Sequence, residues 1–544
     1  MDIKLPKSIV SITEQLQSAG FEVYAVGGAV RDVLLKRKPN DWDVATSANP
    51  EQIQQIFPDS VYENKFGTVG VKIRKLENTE NTENKRIQGV NLRNLNDQVK
   101  SETGEFYTEW ILSSKKPQEQ ASGDKKENEV VEIIEVTTYR VDKGYVDGRH
   151  PEQVEFTDSI REDLSRRDFT INAMALKVKK SSIEEKNKEI KDFEIFDPFL
   201  GQEDLDRKLI RAVGVPDDRL QEDILRMMRA VRFGTQLGFE LETSLYDSIK
   251  LHADSLVNIS VERIRDEFIK IIMSTNASDG VRLLQEVGLL KGFIPEMLEG
   301  FGVAQNKHHV YEVFEHNVRA LDYAAKHNYS LEVRLASLFH DIGKPRSKHG
   351  KGESATFYNH EIIGEKMVKK LMDRLHFSRI QVNKVSLLVR YHQFYYDVEE
   401  VTASSVRRLV ANVGLENINE LIQVREADRI GSGVPKAVPY KLRHLKFMIE
   451  KVSTDPISPK MLKVKGDELM KELDLKPSKK LGLIINSLLA EVIENPKLNN
   501  REVLFKRAKE LNGVSDAELV KNLATIKKAL DNQETEIKNK YYVK

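Results

Sequence analysis

Residues Tyr24 to Thr46, YAVGGAVRDVLLKRKPNDWDVAT, admit few backbone arrangements. The apolar run Phe21 to Val26 suits a strand and Gly27-Gly28 a tight turn. A helix then opens at Ala29 with Arg31 in its first turn, and Asp41-Trp42-Asp43 leads into a second strand. In extended backbone, side chains two residues apart share a face. Asp41 and Asp43 therefore point the same way, close enough that a bound cation or an altered pKa must relieve their repulsion. Hard carboxylate oxygens suit Mg²⁺, which would bridge the pair and a triphosphate. Gly27 and Gly28 bring bare N–H groups to a helix start, where phosphate oxygens are favoured. Either motif alone reads as an ordinary turn; both within one strand, turn, helix, strand unit predict a nucleotide site.

At 544 residues the chain exceeds a single core, and three or four domains are expected. Hydrophobic content of 40% with 31% charged residues describes a globular chain rather than a disordered one. The amino-terminal MDIKLPKSIV lacks an apolar signal core, and the most apolar run, Leu481 to Ile493, is too short and polar to span a bilayer. The expectation is a cytosolic (cytoplasmic) protein with no membrane partner. Cysteine is absent, which excludes disulfides, thiolate-ligated zinc and a thiol nucleophile, so metal chemistry falls to Asp, Glu and His. Net charge is zero, so distribution matters more than the sum. Between Lys436 and Lys465, eight Lys and Arg residues face only Glu450 and Asp455, as in a track for a phosphate backbone or in a solvated helix face.

Alternating patterns dominate up to about Leu176, with strands expected at Val69 to Ile73 and Ile133 to Tyr139; helical periodicity takes over afterwards. The expected fold class is α+β, an α/β head carrying an all-helical body. Residues 1–178 form the head, 192–300 a helical neck, 301–433 a second helical domain and 434–544 a tail. Residues 76–129 are rich in Asn, Glu, Lys and Ser and read as a flexible insertion, within which FYTEWIL (Phe106 to Leu112) could dock locally. Lys179 to Lys191 is a smaller polar bulge, and Gly431 to Pro435 a linker.

Two further constellations carry chemistry. RRDFTINAMAL places two guanidinium groups beside Asp168, and QEDILRMMRAVRF (Gln221 to Phe233) reads as one continuous helix. There Asp223 and Arg226 are three apart, and Arg229 and Arg232 follow at the same interval. An amphipathic helix with ion pairs is the plain reading; base recognition is the sharper one. Cytosine and adenine each present an amino donor beside a ring-nitrogen acceptor, whereas guanine and uracil present a carbonyl beside an N–H. An accepting carboxylate with a donating guanidinium therefore matches C and A. Asp168 could accept from a ribose hydroxyl, favouring ribonucleotides. The other constellation is His316, the pair His340-Asp341 at the end of LASLFHDIGK, His360, His392 and Asp428. Imidazoles and carboxylates converging in a helical bundle suit Mg²⁺, Mn²⁺, Fe²⁺ or Ni²⁺.

The motifs GGAVRD (Gly27 to Asp32), DWDVAT (Asp41 to Thr46), RRDFTINA (Arg166 to Ala173), DPFLGQEDL (Asp197 to Leu205) and EDILRMMRAVRF (Glu222 to Phe233) closely resemble those of the bacterial-type tRNA nucleotidyltransferase and poly(A) polymerase family. The resemblance implies a polymerase-β-like nucleotidyltransferase head with a small mixed sheet, Mg²⁺ ions on catalytic Asp41 and Asp43, triphosphate contacts from Gly28 and Arg31, and base selection by Asp223 and Arg226. It further implies attack of a primer 3′-hydroxyl on the α-phosphate with release of pyrophosphate. The insertion at 76–129 interrupts a strand pair that is tight in the family, leaving Glu135 as the candidate third carboxylate. Tyr139 to Phe156 looks like the family's mobile element. Residues His308 to Asp428 resemble the HD phosphohydrolase superfamily, with His316, His340, Asp341 and Asp428 matching its core and His360 and His392 as further ligands. The tail from Gly466 to Val492 looks like the region that would grip the tRNA elbow. The implied activity is addition of CCA, or its terminal A, to tRNA from CTP and ATP, with HD phosphohydrolase activity and no DNA partner. A poly(A) polymerase shares the head motifs. A non-catalytic RNA-binding HD protein is a third reading, opposed by intact Asp41, Asp43, Asp168, Asp223 and Arg226.

Overall fold

The computed structural model describes residues 5–39, 41–62, 67–74, 130–145, 151–178, 193–305, 310–350, 354–394, 396–398, 401–433, 440–452, 459–521 and 523. The insertion expected at 76–129 with its FYTEWIL segment, the run Lys179 to Lys191 and the centre of the mobile element (146–150) lie outside them. The chain divides into two compact units, residues 1–141, 154–164 and 174–196 in one, and 142–153, 165–173 and 197–544 in the other.

In the first unit, helix α1 (Lys7–Ser18) precedes strand β1 (Val23–Val26), helix α2 (Gly28–Leu34), strand β2 (Asp43–Thr46), helix α3 (Pro50–Ile56) and strands β3 (Ser60–Tyr62), β4 (Thr68–Arg74) and β5 (Val130–Thr138). Strands β6 (Arg140–Tyr145) and β7 (Pro151–Phe156), whose residues are divided between the two units, pair as a separate ribbon. Helix α4 (Ile160–Ser165), β8 (Ala175–Val178) and β9 (Phe193–Phe196) follow. Seven strands make one mixed sheet in the order β3-β4-β5-β2-β1-β8-β9, in which only the β2–β5 pair is parallel. Strand β2 lies at its centre, and Val44, Ala45 and Thr46 are buried in succession, as a strand covered on both faces requires. Ile9, Ile12 and Leu16 recur at helical spacing and bury one side of α1. Strands β4 and β5 pair antiparallel from Thr68 opposite Thr137 to Arg74 opposite Val130.

The second unit is mainly helical. Its neck holds α5 (Gly201–Arg207), α6 (Pro216–Glu222), α7 (Arg226–Leu237), α8 (Thr243–His252), α9 (Val261–Ile272), α10 (Ala277–Glu286) and α11 (Pro295–Leu298), with a short parallel pair, β10 (Leu209–Ile210) and β11 (Glu240–Leu241). Then come α12 (Val313–Lys326), α13 (Leu331–Phe339), α14 (Lys344–Ser347), α15 (His360–Arg374), α16 (Arg379–Tyr391), α17 (Ala403–Val413) and α18 (Leu415–Gly431). Every residue from Val333 to Phe339 is buried, so α13 is the central helix of this bundle. After α19 (Tyr440–Val452), helices α20 (Gly466–Glu472), α21 (Lys479–Glu494) and α22 (Arg501–Asn512) close their own core around Leu469, Ile484, Leu488, Val492 and Leu504. No helix among the described residues is long and apolar enough to cross a membrane.

One sequence expectation fails. Gln221 to Phe233 is not a continuous helix: α6 stops at Glu222 and α7 starts at Arg226. Asp223 between them is extended (φ −142°, ψ 102°), and its Oδ1 accepts the Leu225 N–H at 3.1 Å. That local bond replaces the helical ladder and breaks the helix at Asp223.

Arg334 ties the bundle to the neck. It is 2% exposed, and its guanidinium donates to the carbonyls of Ile272 and Ser274 (2.9 Å each) at the end of α9, and to those of Tyr329 (3.0 Å) and Ala325 (3.3 Å). Ile272 ends α9, so its carbonyl has no partner within that helix; Ser274 and Tyr329 lie in the connections after α9 and before α13, and the Ala325 carbonyl also accepts the Asn328 N–H at 3.0 Å. Arg334→Leu is expected to take the donor from the Ile272, Ser274 and Tyr329 carbonyls, costing on the order of 3 kcal/mol, read as a lowered thermal midpoint of the second unit.

Candidate nucleotide site and metal centre

In the first unit, Asp41 and Asp43 are exposed and Trp42 between them is buried, so the two carboxylates share a side. Asp43 lies opposite Val26 of β1 on one flank and opposite Glu135 of β5 on the other. Residues paired across neighbouring strands project to the same face. Glu135, also exposed, thus joins Asp43 in a row of carboxylates at the centre of the sheet. Val26 runs directly into Gly27, whose φ of +74° is a conformation glycine adopts without strain, and α2 begins at Gly28. Arg31 folds beneath this turn: it is 9% exposed, pairs with Asp32 at 2.8 Å, and a Cβ on Gly28 would lie 3.5 Å from its Nη2. The arrangement offers backbone N–H groups and a cation beside hard oxygen donors.

The second unit holds Asp168, Asp223, Arg226, Arg229 and Arg232. Arg226 spends three of its five N–H groups on protein: Nη1 donates to Glu222 Oε2 (2.5 Å) and the Arg219 carbonyl (2.9 Å), and Nη2 to the Arg166 carbonyl (3.1 Å). Donors remain. The Asp223 carboxylate accepts from Leu225 N and from Arg263 Nη2 (3.0 Å to Oδ2, 3.4 Å to Oδ1), which leaves acceptor capacity on Oδ2. Asp168 differs. Its Oδ1 accepts from Phe169 N (2.8 Å) and Asn172 Nδ2 (3.1 Å), and its Oδ2 from Arg229 Nε (2.8 Å) and Nη2 (2.5 Å). All four of these bonds come from the protein, and through two of them Asp168 aims Arg229. Arg232 pairs with Glu267 at 2.6 Å and lies 4.0 Å over the Phe233 ring, a packing role in this geometry.

Burial alone would raise the Asp168 carboxyl, but Arg229 and Asn172 outweigh it and hold the group at about 2. A depressed carboxylate stabilises the fold fully above its unfolded value near 4 and loses that contribution as pH falls towards 2. Asp168→Asn is therefore expected to destabilise the neck by about 1–2 kcal/mol at pH 7, where it removes the partner of the half-buried Arg229 guanidinium. It should also flatten the loss of stability between pH 4 and 2, measured by urea denaturation across that range.

His316, His340, Asp341, Asp428, His360 and His392 are brought together and are all buried. His316 Nε2 lies 2.8 Å from His340 Nε2, 3.2 Å from Asp341 Oδ2 and 3.2 Å from Asp428 Oδ1. Asp341 Oδ1 faces His360 Nε2 at 3.3 Å and His392 Nε2 at 3.5 Å. Asp341 is thus common to two ligand groups. Three rings repeat one pattern: Nδ1 of His340, His360 and His392 meets the carbonyl three residues earlier, at Ser337 (2.8 Å), Phe357 (2.8 Å) and Val389 (2.7 Å). A carbonyl only accepts, so Nδ1 carries the proton and Nε2 faces the cluster as a ligand atom; this donor set fits divalent cations. Lys344 Nζ sits 2.5 Å from Asp341 Oδ2 and 2.6 Å from Gln305 Oε1, and Arg425 pairs with Asp428. Burial would raise Asp341 and Asp428, but these cations and the imidazoles hold both carboxyls well below the usual range. Burial lowers His340 too, yet Asp341 and Asp428 push it up to about 10, whereas burial leaves His392 at about 4.

Sequence reasoning missed Lys344, although it stands three residues after Asp341 in the same motif. Arg263, Glu267 and Gln305 carry no local signal for the pairs they make with Asp223, Arg232 and Lys344, which lie 35 or more residues away. Gly343 is dictated by close approach: a Cβ there would lie 2.2 Å from the His360 carbonyl oxygen and 2.7 Å from Gly364 N. Gly343→Ala is expected to push α14 from α15, costing about 1–3 kcal/mol and weakening Mn²⁺ binding, measured by calorimetry.

The Poly A polymerase head domain matches residues 23–110 and 96–211, the "Probable RNA and SrmB-binding site of polymerase A" residues 238–300, and the HD domain residues 313–432. A CCA-adding enzyme of Ligilactobacillus salivarius is 28% identical over 93% of this chain and 96% of its own length. One from Latilactobacillus sakei is 36% identical over 53% of this chain, a match spanning about half of that relative (55%). The crystal structure of Bacillus stearothermophilus CCA-adding enzyme in complex with CTP superposes with a TM-score of 0.59 at 25% identity, covering 96% of this chain and 98% of that one. The Thermotoga maritima CCA-adding enzyme complexed with tRNA shares the fold at a TM-score of 0.51 and 19% identity, over 93% and 97% of the two chains. With its motifs in order on a mixed-sheet head, a helical neck and an HD bundle, the chain belongs to the tRNA nucleotidyltransferase and poly(A) polymerase family.

Proposed function

We propose that this chain adds C and A to the 3′ end of tRNA from CTP and ATP without a nucleic-acid template, building CCA or its terminal A, in the cytoplasm. The observation that carries the reading is the carboxylate row: Asp41 and Asp43 exposed on one side of β2, with Glu135 opposite Asp43. Those carboxylates are assigned to hold Mg²⁺. When bound, Mg²⁺ supplies positive charge to the triphosphate and favours ionisation of the primer hydroxyl. The N–H groups at Gly27 and Gly28 and the Arg31 guanidinium take the β- and γ-phosphates. Asp223 accepts the exocyclic amino group of C or A, and Arg226 donates to the adjacent ring nitrogen. Arg229, held by Asp168, contributes charge for the nucleotide, with Arg232 behind it. The primer 3′-oxygen bonds to the α-phosphorus as the α–β bond breaks and pyrophosphate departs. Addition of a long A tract to the same primer would replace this reading by poly(A) synthesis.

For the HD centre, six buried ligands sharing Asp341 favour a metal-dependent phosphohydrolase over a bare scaffold. His316, His340, Asp341 and Asp428 would hold one divalent ion (Mg²⁺, Mn²⁺, Fe²⁺ or Ni²⁺), and His360 and His392 with Asp341 a second. Bound there, such ions activate water against a phosphate ester. The fitting substrate is a phosphorylated RNA 3′ end awaiting repair before nucleotide addition.

Incubating the protein with tRNA ending before CCA, in CTP, ATP or both, and sequencing the products tests the first activity. Asp41→Ala and Asp43→Ala are each expected to lower incorporation at least about 10³-fold with phosphoesterase activity intact, and His340→Ala to do the reverse. Loss of both activities in a folded single mutant would refute independent centres.

A further inference from the structure

Asp223 stands in a helix break, where its own backbone does not fix the plane of its carboxylate. Two donors do: Leu225 N holds Oδ1 at 3.1 Å, and Arg263 Nη2 reaches Oδ2 at 3.0 Å from the first turn of α9, forty residues downstream. We infer that Arg263 is a specificity-determining positioning residue, aiming the Asp223 carboxylate so that one acceptor position of Oδ2 meets the amino group of cytosine or adenine. The inference rests on the nucleotide-adding reading above.

The counting is decisive. A carboxylate offers about four acceptor positions and no donor. Leu225 takes one on Oδ1 and Arg263 spans the edge between the oxygens, which leaves Oδ2 with capacity for one incoming N–H. Arg226 is fixed comparably, by Glu222 and two carbonyls, with donors to spare. Discrimination requires both partners at fixed separation, because a carboxylate free to turn about its Cβ–Cγ bond could yield its place to water. Water both donates and accepts, and would serve the O4 of uracil or O6 of guanine as readily as an amino group. Arg263 does not itself reach the base in this assignment.

Glu267, one turn further along α9, provides the contrast. It pairs with Arg232 at 2.6 Å and Lys270 at 2.9 Å, and so holds α9 against α7 without touching Asp223. A merely structural Arg263 should behave like it.

The test uses the full-length protein, a tRNA transcript lacking CCA and each of the four nucleoside triphosphates, with kcat and KM measured separately. Arg263→Gln is expected to lower the kcat/KM ratio of CTP to UTP, and of ATP to GTP, by about 10- to 100-fold. Arg263→Lys should recover part of that ratio. Glu267→Gln should lower the thermal midpoint and reduce all additions in parallel, with the ratios unchanged. Equal losses for all four nucleotides in Arg263→Gln, unchanged ratios, or a Glu267→Gln shift as large as that of Arg263→Gln would each overturn the inference. Failure of the unaltered protein to add C or A would instead overturn the underlying reading.

Discussion

A buried guanidinium must place five N–H groups, and in the second unit that requirement organises the protein. Arg334 gives four of its five to backbone carbonyls, and so joins bundle to neck without a carboxylate. Arg229 concentrates two donors on one oxygen of Asp168. Arg226 is left partly unspent. The same residue type serves as fastener, as counter-ion and, in the proposed function, as reader, and the difference lies in how many of its hydrogens the protein claims.

The HD centre solves a related problem with imidazoles. Six ionisable groups in one buried space would repel or neutralise one another unless each had a fixed role. Anchoring Nδ1 of three rings to carbonyls of their own chain segments turns every Nε2 inward, and Lys344 and Arg425 balance the two carboxylates from outside. The rings are held by local backbone. Their orientation does not wait on the ligand.

Much of this was legible in the residues, and what was not has a common cause. The alternation around Trp42, the turn at Gly27 and the adjacent pair His340-Asp341 follow from local pattern, because period and residue chemistry act over a few positions. The break at Asp223 was missed since apolar spacing at Leu225, Met228 and Val231 continues through it, while a side chain to backbone bond decides the conformation. The contact of Asp168 with Arg229 joins two motifs 61 positions apart, which no local pattern reports. Arg263, Glu267 and Gln305 act across 35 to 40 positions, where no periodicity reports. Glu135 falls between these cases: its residue type was suggestive, but its register opposite Asp43 is a property of the sheet.

That register bears on how the head accommodates extra chain. Because Arg74 and Val130 face each other at the ends of β4 and β5, the chain leaves the sheet after Arg74 and re-enters it at Val130 at adjacent points on one end of this strand pair. Closing a loop costs entropy that grows only with the logarithm of its length. Replacing a four-residue hairpin by the intervening segment would cost about 2 kcal/mol even without compensating contacts. Evolution can therefore lengthen, shorten or replace material at that junction for a modest penalty, while the strand bearing Glu135 stays locked to its neighbours.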